Sequence, residues 1–391
     1  MNQNKPIKLL IVDDSIVFCR FLSTQLPKIN PQIQVVGYSM NAYDAFKKVP
    51  SLNPNVISLD VEMPGLSGID FLKKLIPSHP IPVVLVSSLN VGVFDALSYG
   101  AVDFVKKPDM SKDYTTEAFA RNLASKLVIA ASSTVKVPRN SENSQAPSPA
   151  STGRSAVSRP SSSTPFAGSG QKEESSGSRI NLPKFSADQL RINHPSSLKL
   201  KDTVIALGAS TGGTEATLEI LKDLPAETPG IVVTQHMPEG FTKMYSERLN
   251  RLCAMEVKEA EDGDIIRQGR VLIAPGGDRH MTVFKKGVSY YVRCRPGEKV
   301  NGHRPSVDVL FHSVADTVKS DAIGIILTGM GADGADGLLK MRQKGAYTIG
   351  QDKESCVVYG MPMVAERLGA VCTQSPCSKI ATLLVNHLNT L

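Results

Sequence analysis

The chain has 391 residues, too many for one typical core and enough for two domains of roughly 100–200 residues each. Basic side chains outnumber acidic ones by 44 to 37, but residues 1–130 hold 13 and 11, residues 131–200 hold 9 and 4, and residues 201–391 hold 22 and 22. Neither end therefore offers the basic face of a nucleic-acid binder, no run of about 20 uncharged apolar residues could span a membrane, and six scattered cysteines without a C-x-x-C pair indicate neither disulfide framework nor zinc, so a soluble cytoplasmic protein is expected.

The first element is the apolar run 7–12, which ends in Asp13-Asp14-Ser15 before the pattern turns helical. Strand signals recur at Ile33–Val36, Val56–Leu59, Val83–Val86 and Asp103–Val105 with helical stretches between them, which predicts a five-stranded parallel sheet covered on both faces. Strand ends in such a sheet open on one crevice. Asp13 and Asp14, Asp60, Ser87 and Lys107 all fall there. Three crowded carboxylates repel one another unless a divalent cation lies among them, and hard oxygen donors suit Mg²⁺. A lysine and a serine beside them could hold a phosphoryl group.

The segments Asp13-Asp14-Ser15, Leu59-Asp60-Val61-Glu62-Met63-Pro64, Val86-Ser87-Ser88 and Phe104-Val105-Lys106-Lys107-Pro108 resemble those of response-regulator receiver domains, in register. The resemblance implies Asp60 as phosphoacceptor, Asp14, Asp60 and the Glu62 carbonyl as Mg²⁺ ligands, Lys107 as phosphate clamp, and Ser87 and Phe104 as the switch. A histidine kinase would be the phosphodonor.

From about residue 128 to 198 the composition changes. Residues 141–180 contain 13 serines in 40, with Pro147, Pro149, Pro160 and Pro165 and almost no aliphatic side chains, too little apolar area to offset the entropy of ordering. A flexible tether is expected at 128–198, with Leu182-Pro183-Lys184-Phe185 available to pack on a domain. It separates an N-terminal domain at 5–127 from a C-terminal one at 199–391.

The C-terminal half again alternates: strands at Val204–Leu207, Ile231–Gln235, Val271–Ile273 and Ile323–Leu327, helices at Glu215–Leu221 and Phe241–Leu252, and an inserted hairpin at Thr282–Phe284 and Ser289–Val292. A second doubly wound, mainly parallel sheet follows. The first strand ends in Gly208-Ala209-Ser210-Thr211-Gly212-Gly213, a glycine-flanked elbow that can expose a serine hydroxyl among backbone donors. His236 ends the second strand and Asp333, with Asp336 three residues on, follows the last. Serine, histidine and aspartate at one sheet edge make a nucleophile, a base and an orienting carboxylate. Their order differs from that of α/β-hydrolases, where histidine comes last, which disfavours an ordinary lipase or esterase. The N–H groups of Thr211 and Met330 are the expected oxyanion donors. A phosphate-cradling turn is the alternative for 208–213, but it lacks a Walker lysine. His280 and His312 are expected to serve structure and His79, His194 and His387 to be exposed; Arg304, in the polar stretch 302–308, could attract an acidic peptide.

Ile205–Thr214, Thr234–Pro238, Val257–Gly263, Ile273–Gly276, His303–His312, Ile326–Gly334 and Ser355–Pro362 are similar to stretches of the chemotaxis protein-glutamate methylesterase (CheB) family, also glutamine deamidases. The resemblance implies Ser210 as nucleophile, His236 as base and Asp333 rather than Asp336 as its partner, with no cofactor for hydrolysis. It further implies a phosphorylation-regulated hydrolase that removes methyl groups from glutamyl esters, and deamidates glutamines, on chemoreceptors, acting at receptor arrays without inserting into the membrane.

Overall fold

The computed structural model describes residues 5–88, 92–108, 113–135 and 190–391. The N-terminal strands are β1 (Ile7–Val12), β2 (Ile33–Ser39), β3 (Val56–Asp60), β4 (Val83–Ser87) and β5 (Asp103–Lys106), with helices α1 (Ile16–Ile29), α2 (Ala42–Leu52), α3 (Gly68–Ser78), α4 (Gly92–Ser98) and α5 (Asp113–Ala131). All pairings are parallel in the order β2-β1-β3-β4-β5. Successive side chains of β1 point to opposite faces: Leu10 and Val12 join one apolar layer, Leu9 and Ile11 the other with Phe18 and Leu123. Burial on both faces is why these strands read as unbroken apolar runs. Strand order reverses between β1 and β3, so Asp13, Asp14 and Asp60 meet at the switch point.

The C-terminal part holds α6 (Leu198–Asp202), β6 (Val204–Ala209), α7 (Gly213–Leu221), β7 (Gly230–Gln235), α8 (Phe241–Leu252), β8 (Glu256–Glu259), β9 (Ile265–Ile266), β10 (Arg270–Ile273), β11 (Arg279–Lys286), β12 (Ser289–Pro296), α9 (Val307–Thr317), β13 (Ala322–Ile326), α10 (Ala335–Gln343), β14 (Tyr347–Gln351), α11 (Met361–Arg367), β15 (Thr373–Ser375) and α12 (Cys377–Leu388). Its seven-stranded sheet, β15-β14-β13-β6-β7-β10-β8, is parallel throughout. The expected hairpin is present and longer at each end; β9 joins it in an antiparallel three-stranded sheet. Here the switch point lies between β6 and β13, the strands that lead into Ser210 and the 327–334 loop.

Two boundaries differ from the compositional expectation. Helix α5 continues to Ala131, and residues 190–197 already pack on the C-terminal part: Ile192 is buried, Asn193 N–H donates to Asn389 Oδ1, and Asn389 Nδ2 donates to Arg191 O. Residues 128–131 and 190–198, expected within a tether at 128–198, therefore belong to the folded parts, because side chains outside the serine-rich stretch find partners there. Leu182–Phe185 lies outside the described residues.

The N-terminal domain rests on the C-terminal one through α4 and β5. Phe94 stacks on Tyr245 with centroids 5.6 Å apart, Phe104 packs on Phe241 at 4.7 Å, and Thr211 Oγ1 donates to Asp103 Oδ2 at 2.5 Å. Asp103 Oδ1 in turn accepts from Lys126 Nζ at 2.6 Å. No described helix is long and apolar enough to cross a membrane.

Candidate active site

Strand β6 is buried along its length and feeds Ser210 into the turn before α7. Gly212 caps that helix at φ +76°, in the left-handed region, and a Cβ there would collide with Val357. Ser210 N–H donates to Thr328 O, which ties the elbow to the end of β13. Ala209 pairs with Gln235 across β6 and β7, and Gln235 Nε2 donates to Ser210 O at 2.9 Å, so His236 emerges beside Ser210. Gly329 lies against Ser210 Cβ, where any side chain would intrude.

The His236 ring lies 2.7 Å from Asp333 through Nε2 and Oδ2. Its Nδ1 is buried and has no hydrogen-bond partner among the described residues. Asp333, fully buried, is held from several sides: Asn301 Nδ2 (2.9 Å), Ser306 Oγ (2.7 Å), Val307 N–H (2.7 Å) and Asp308 N–H (3.2 Å) all donate to it. Burial alone would raise the Asp333 carboxyl, but the hydrogen bond and charge of His236 with the Asn301 and Ser306 donors outweigh it and hold the group well below the ordinary carboxylate range. Asn301 also donates to Asp308 Oδ2 at 2.6 Å, so one amide separates two carboxyl groups.

A second imidazole completes the wall. His303 stacks on His236, and burial first, then His236, lowers its pKa to about 4. Neither Asn301, Ser306 nor His303 follows from strand-end logic, because all three sit in the loop before α9; the polarity of 302–308 was the available signal. Arg304, expected to draw an acidic peptide, instead donates to two backbone carbonyls, Gly277 O (2.9 Å) and Gly297 O (2.7 Å). Asp336 lies away from the cluster and pairs with His312 at 3.1 Å. His280 links Glu298 O to Ser306 N–H, a structural part. His387, expected to be exposed, is half-buried against Tyr347. Met330 is half exposed at the rim; neither its N–H nor that of Thr211 donates to a backbone carbonyl among the described residues.

In the N-terminal crevice, carboxylate oxygens of Asp13, Asp14 and Asp60 lie within 4.8 Å of one another. Lys107 Nζ bridges Asp13 at 2.9 Å and Asp60 at 2.7 Å; burial opposes its charge, but these two carboxylates raise its pKa above the ordinary lysine value. Glu62 N–H donates to Asp60 Oδ1. Ser87 Oγ is buried at the end of β4 without a hydrogen-bond partner among the described residues, and Phe104 is turned inward. The hard oxygen donors fit a magnesium ion and the orphan hydroxyl fits a phosphoryl oxygen.

Two family models match: "CheB methylesterase" over residues 205–384 and "Response regulator receiver domain" over residues 9–118. A protein-glutamate methylesterase/protein-glutamine glutaminase of Syntrophomonas wolfei is 46% identical over 387 residues, covering 99% of each chain. One from Syntrophotalea carbinolica is 42% identical over 389 residues, covering 98% of each. Among solved structures, the CheB methylesterase catalytic domain of Thermotoga maritima is 39% identical and covers 47% of this chain and 98% of its own, with a TM-score of 0.46.

Proposed function

Because the chain belongs to the protein-glutamate methylesterase/protein-glutamine glutaminase family, with a receiver domain in front of the CheB methylesterase domain, we propose that Ser210, His236 and Asp333 carry its chemistry. Ser210 Oγ attacks the side-chain carbonyl of a glutamyl methyl ester or a glutamine while His236 Nδ1 takes its proton. The ring then delivers that proton to the departing methoxide oxygen or amide nitrogen, releasing methanol or ammonia, and next removes one from the water that cleaves the acyl-enzyme and returns it to Ser210 Oγ. Asp333 fixes the tautomer through Nε2, and the N–H groups of Thr211 and Met330 receive the developing oxyanion. The observation that carries this reading is the 2.7 Å contact of Asp333 with the imidazole of His236, a residue bonded to the serine elbow through its backbone, whose other nitrogen has no partner among the described residues.

The substrates in this reading are chemoreceptors, met in the cytoplasm. The receiver regulates access. Asp60 would accept the phosphoryl group from a histidine kinase, with Lys107 and Ser87 placed to bind its oxygens; Asp14, Asp60 and the Glu62 carbonyl would hold Mg²⁺, which would supply charge neutralisation. Unphosphorylated, the receiver sits against the elbow through Asp103 and Thr211 and restricts the cleft; phosphorylation biases it away. The test is methanol release from methylated receptor membranes by wild type and Ser210→Ala, each with and without a small phosphodonor and Mg²⁺. Wild type should release methanol and respond to phosphodonor. Equal release by Ser210→Ala would overturn the assignment.

A further inference from the structure

The β11–β12 hairpin buries one face and shows the other. Met281, Val283, Tyr290, Val292 and Cys294 pack into the core that contains α9, which leaves the cross-strand pairs Thr282 with Arg293 and Phe284 with Tyr291 on the outer face. That face is prepared for contact. Phe284 and Tyr291 stack at 5.7 Å, and the Arg293 guanidinium lies 4.5 Å above the Phe284 ring. Arg293 has no carboxylate partner among the described residues, and Arg295 has only an exposed pair with Asp262, which is weak and exchangeable.

The charge is local. Residues 278–299 carry Arg279, Lys285, Lys286, Arg293, Arg295 and Lys299 against two carboxylates, Asp278, which pairs with Arg279 at 3.5 Å, and Glu298, whereas the C-terminal half as a whole is balanced at 22 to 22. Basic side chains clustered on one face attract an acidic partner, and an arginine ordered over aromatic rings is the composition of protein-recognition anchors.

The hairpin is also registered to the chemistry. Arg304 holds both ends of its base through Gly277 O and Gly297 O, and His280 joins Glu298 O to Ser306 N–H, one bond from Asp333. From that base the strands run about 25 Å outward. Resting on the methylesterase reading above, the reaction replaces a neutral ester or amide on the substrate protein by a carboxylate, so the substrate surface gains negative charge with every turnover. We propose that the outer face of this hairpin, anchored by Arg293 and Arg295, docks an acidic stretch of the substrate protein flanking the glutamyl group in the cleft.

The test uses the full chain and two peptides of about 20 residues with one central glutamyl methyl ester, long enough to reach the hairpin, one flanked by glutamates and one by glutamines. Wild type should prefer the acidic peptide in kcat/KM, and the preference should fade between about 50 mM and 500 mM salt. In Arg293→Glu/Arg295→Glu the acidic-to-neutral ratio should fall about tenfold, equal to roughly 1.4 kcal/mol, while Arg293→Lys/Arg295→Lys keeps most of it. Fluorescence anisotropy of the acidic peptide gives binding without turnover. Charge-dependent binding without hydrolysis of either peptide would count against the methylesterase reading and uphold docking. Equal binding of the two peptides by wild type, or unchanged acidic-peptide binding by the Glu variant with loss of binding to receptor-free phosphatidylglycerol vesicles, would overturn it; the latter would assign the face to lipid.

Discussion

The imidazoles of His236 and His303 lie face to face, their centroids 3.7 Å apart and their planes 7° from parallel. The backbone N–H of His303 donates to Val300 O and that of Val300 to His303 O, which pins the loop that presents the ring. With its pKa near 4 against an ordinary 6.5, His303 is neutral at pH 7 in the folded chain. Between pH 6.5 and 4 the unfolded chain binds the extra proton, so stability falls as pH falls through this window. Thermal melts should therefore show wild type losing more between pH 7 and 4 than His303→Phe, which keeps a stacked ring without the titration. Parallel pH dependence in the two proteins would contradict this.

Asp333 and Asp336 provide a paired control. Asp333→Asn keeps the shape but offers Nε2 an amide in place of a carboxylate, and methanol release should drop roughly 10⁴-fold with little change in KM. Asp336→Asn, at an exposed pair with His312, should stay within about twofold. Comparable losses in both variants would redirect the assignment.

The contacts of Asp103 and Phe104 with the catalytic half predict the effect of removing the receiver. A fragment beginning at Leu190 retains the Asn193 and Arg191 bonds to Asn389 and should show basal activity several times that of the unphosphorylated full chain. Asp103→Ala should move in the same direction, by about twofold or more, since it frees Thr211 and leaves Lys126 without its carboxylate. Esterase assays without phosphodonor decide it; lower activity in the fragment would remove the inhibitory role.

At the elbow, Gly212→Ala faces both a left-handed backbone and the Val357 side chain. The substitution should cost about 1–3 kcal/mol in stability and lower kcat more than KM, because the serine perch shifts. Chemical denaturation and initial rates report the two effects separately.

Much of this was legible in the chain. Both sheets announce themselves as buried apolar runs separated by helices, and Ser210, His236, Asp333, Asp60 and Lys107 stand where parallel strands stop, which is a one-dimensional signal. Several strands were missed for local reasons: β8, Glu-Val-Lys-Glu, is a charged edge strand with one buried side chain, and β15 spans three residues. Asn301 and Ser306 were not identifiable because their worth lies in reaching a carboxylate 32 and 27 residues further on. Likewise, nothing along the chain announces that Asp103 will accept a hydrogen bond from Thr211, 108 residues away.

That last bond joins two otherwise separable properties. Ser210 and Thr211 are neighbours in one turn, and while the first is the proposed nucleophile, the second reaches strand β5 of the receiver through its hydroxyl. Under the regulation proposed above, exchanging this receiver for another would therefore transplant more than its acidic crevice: a replacement lacking an acceptor in the place of Asp103 would leave the threonine hydroxyl unclaimed, and the hybrid would lose this link between its two halves.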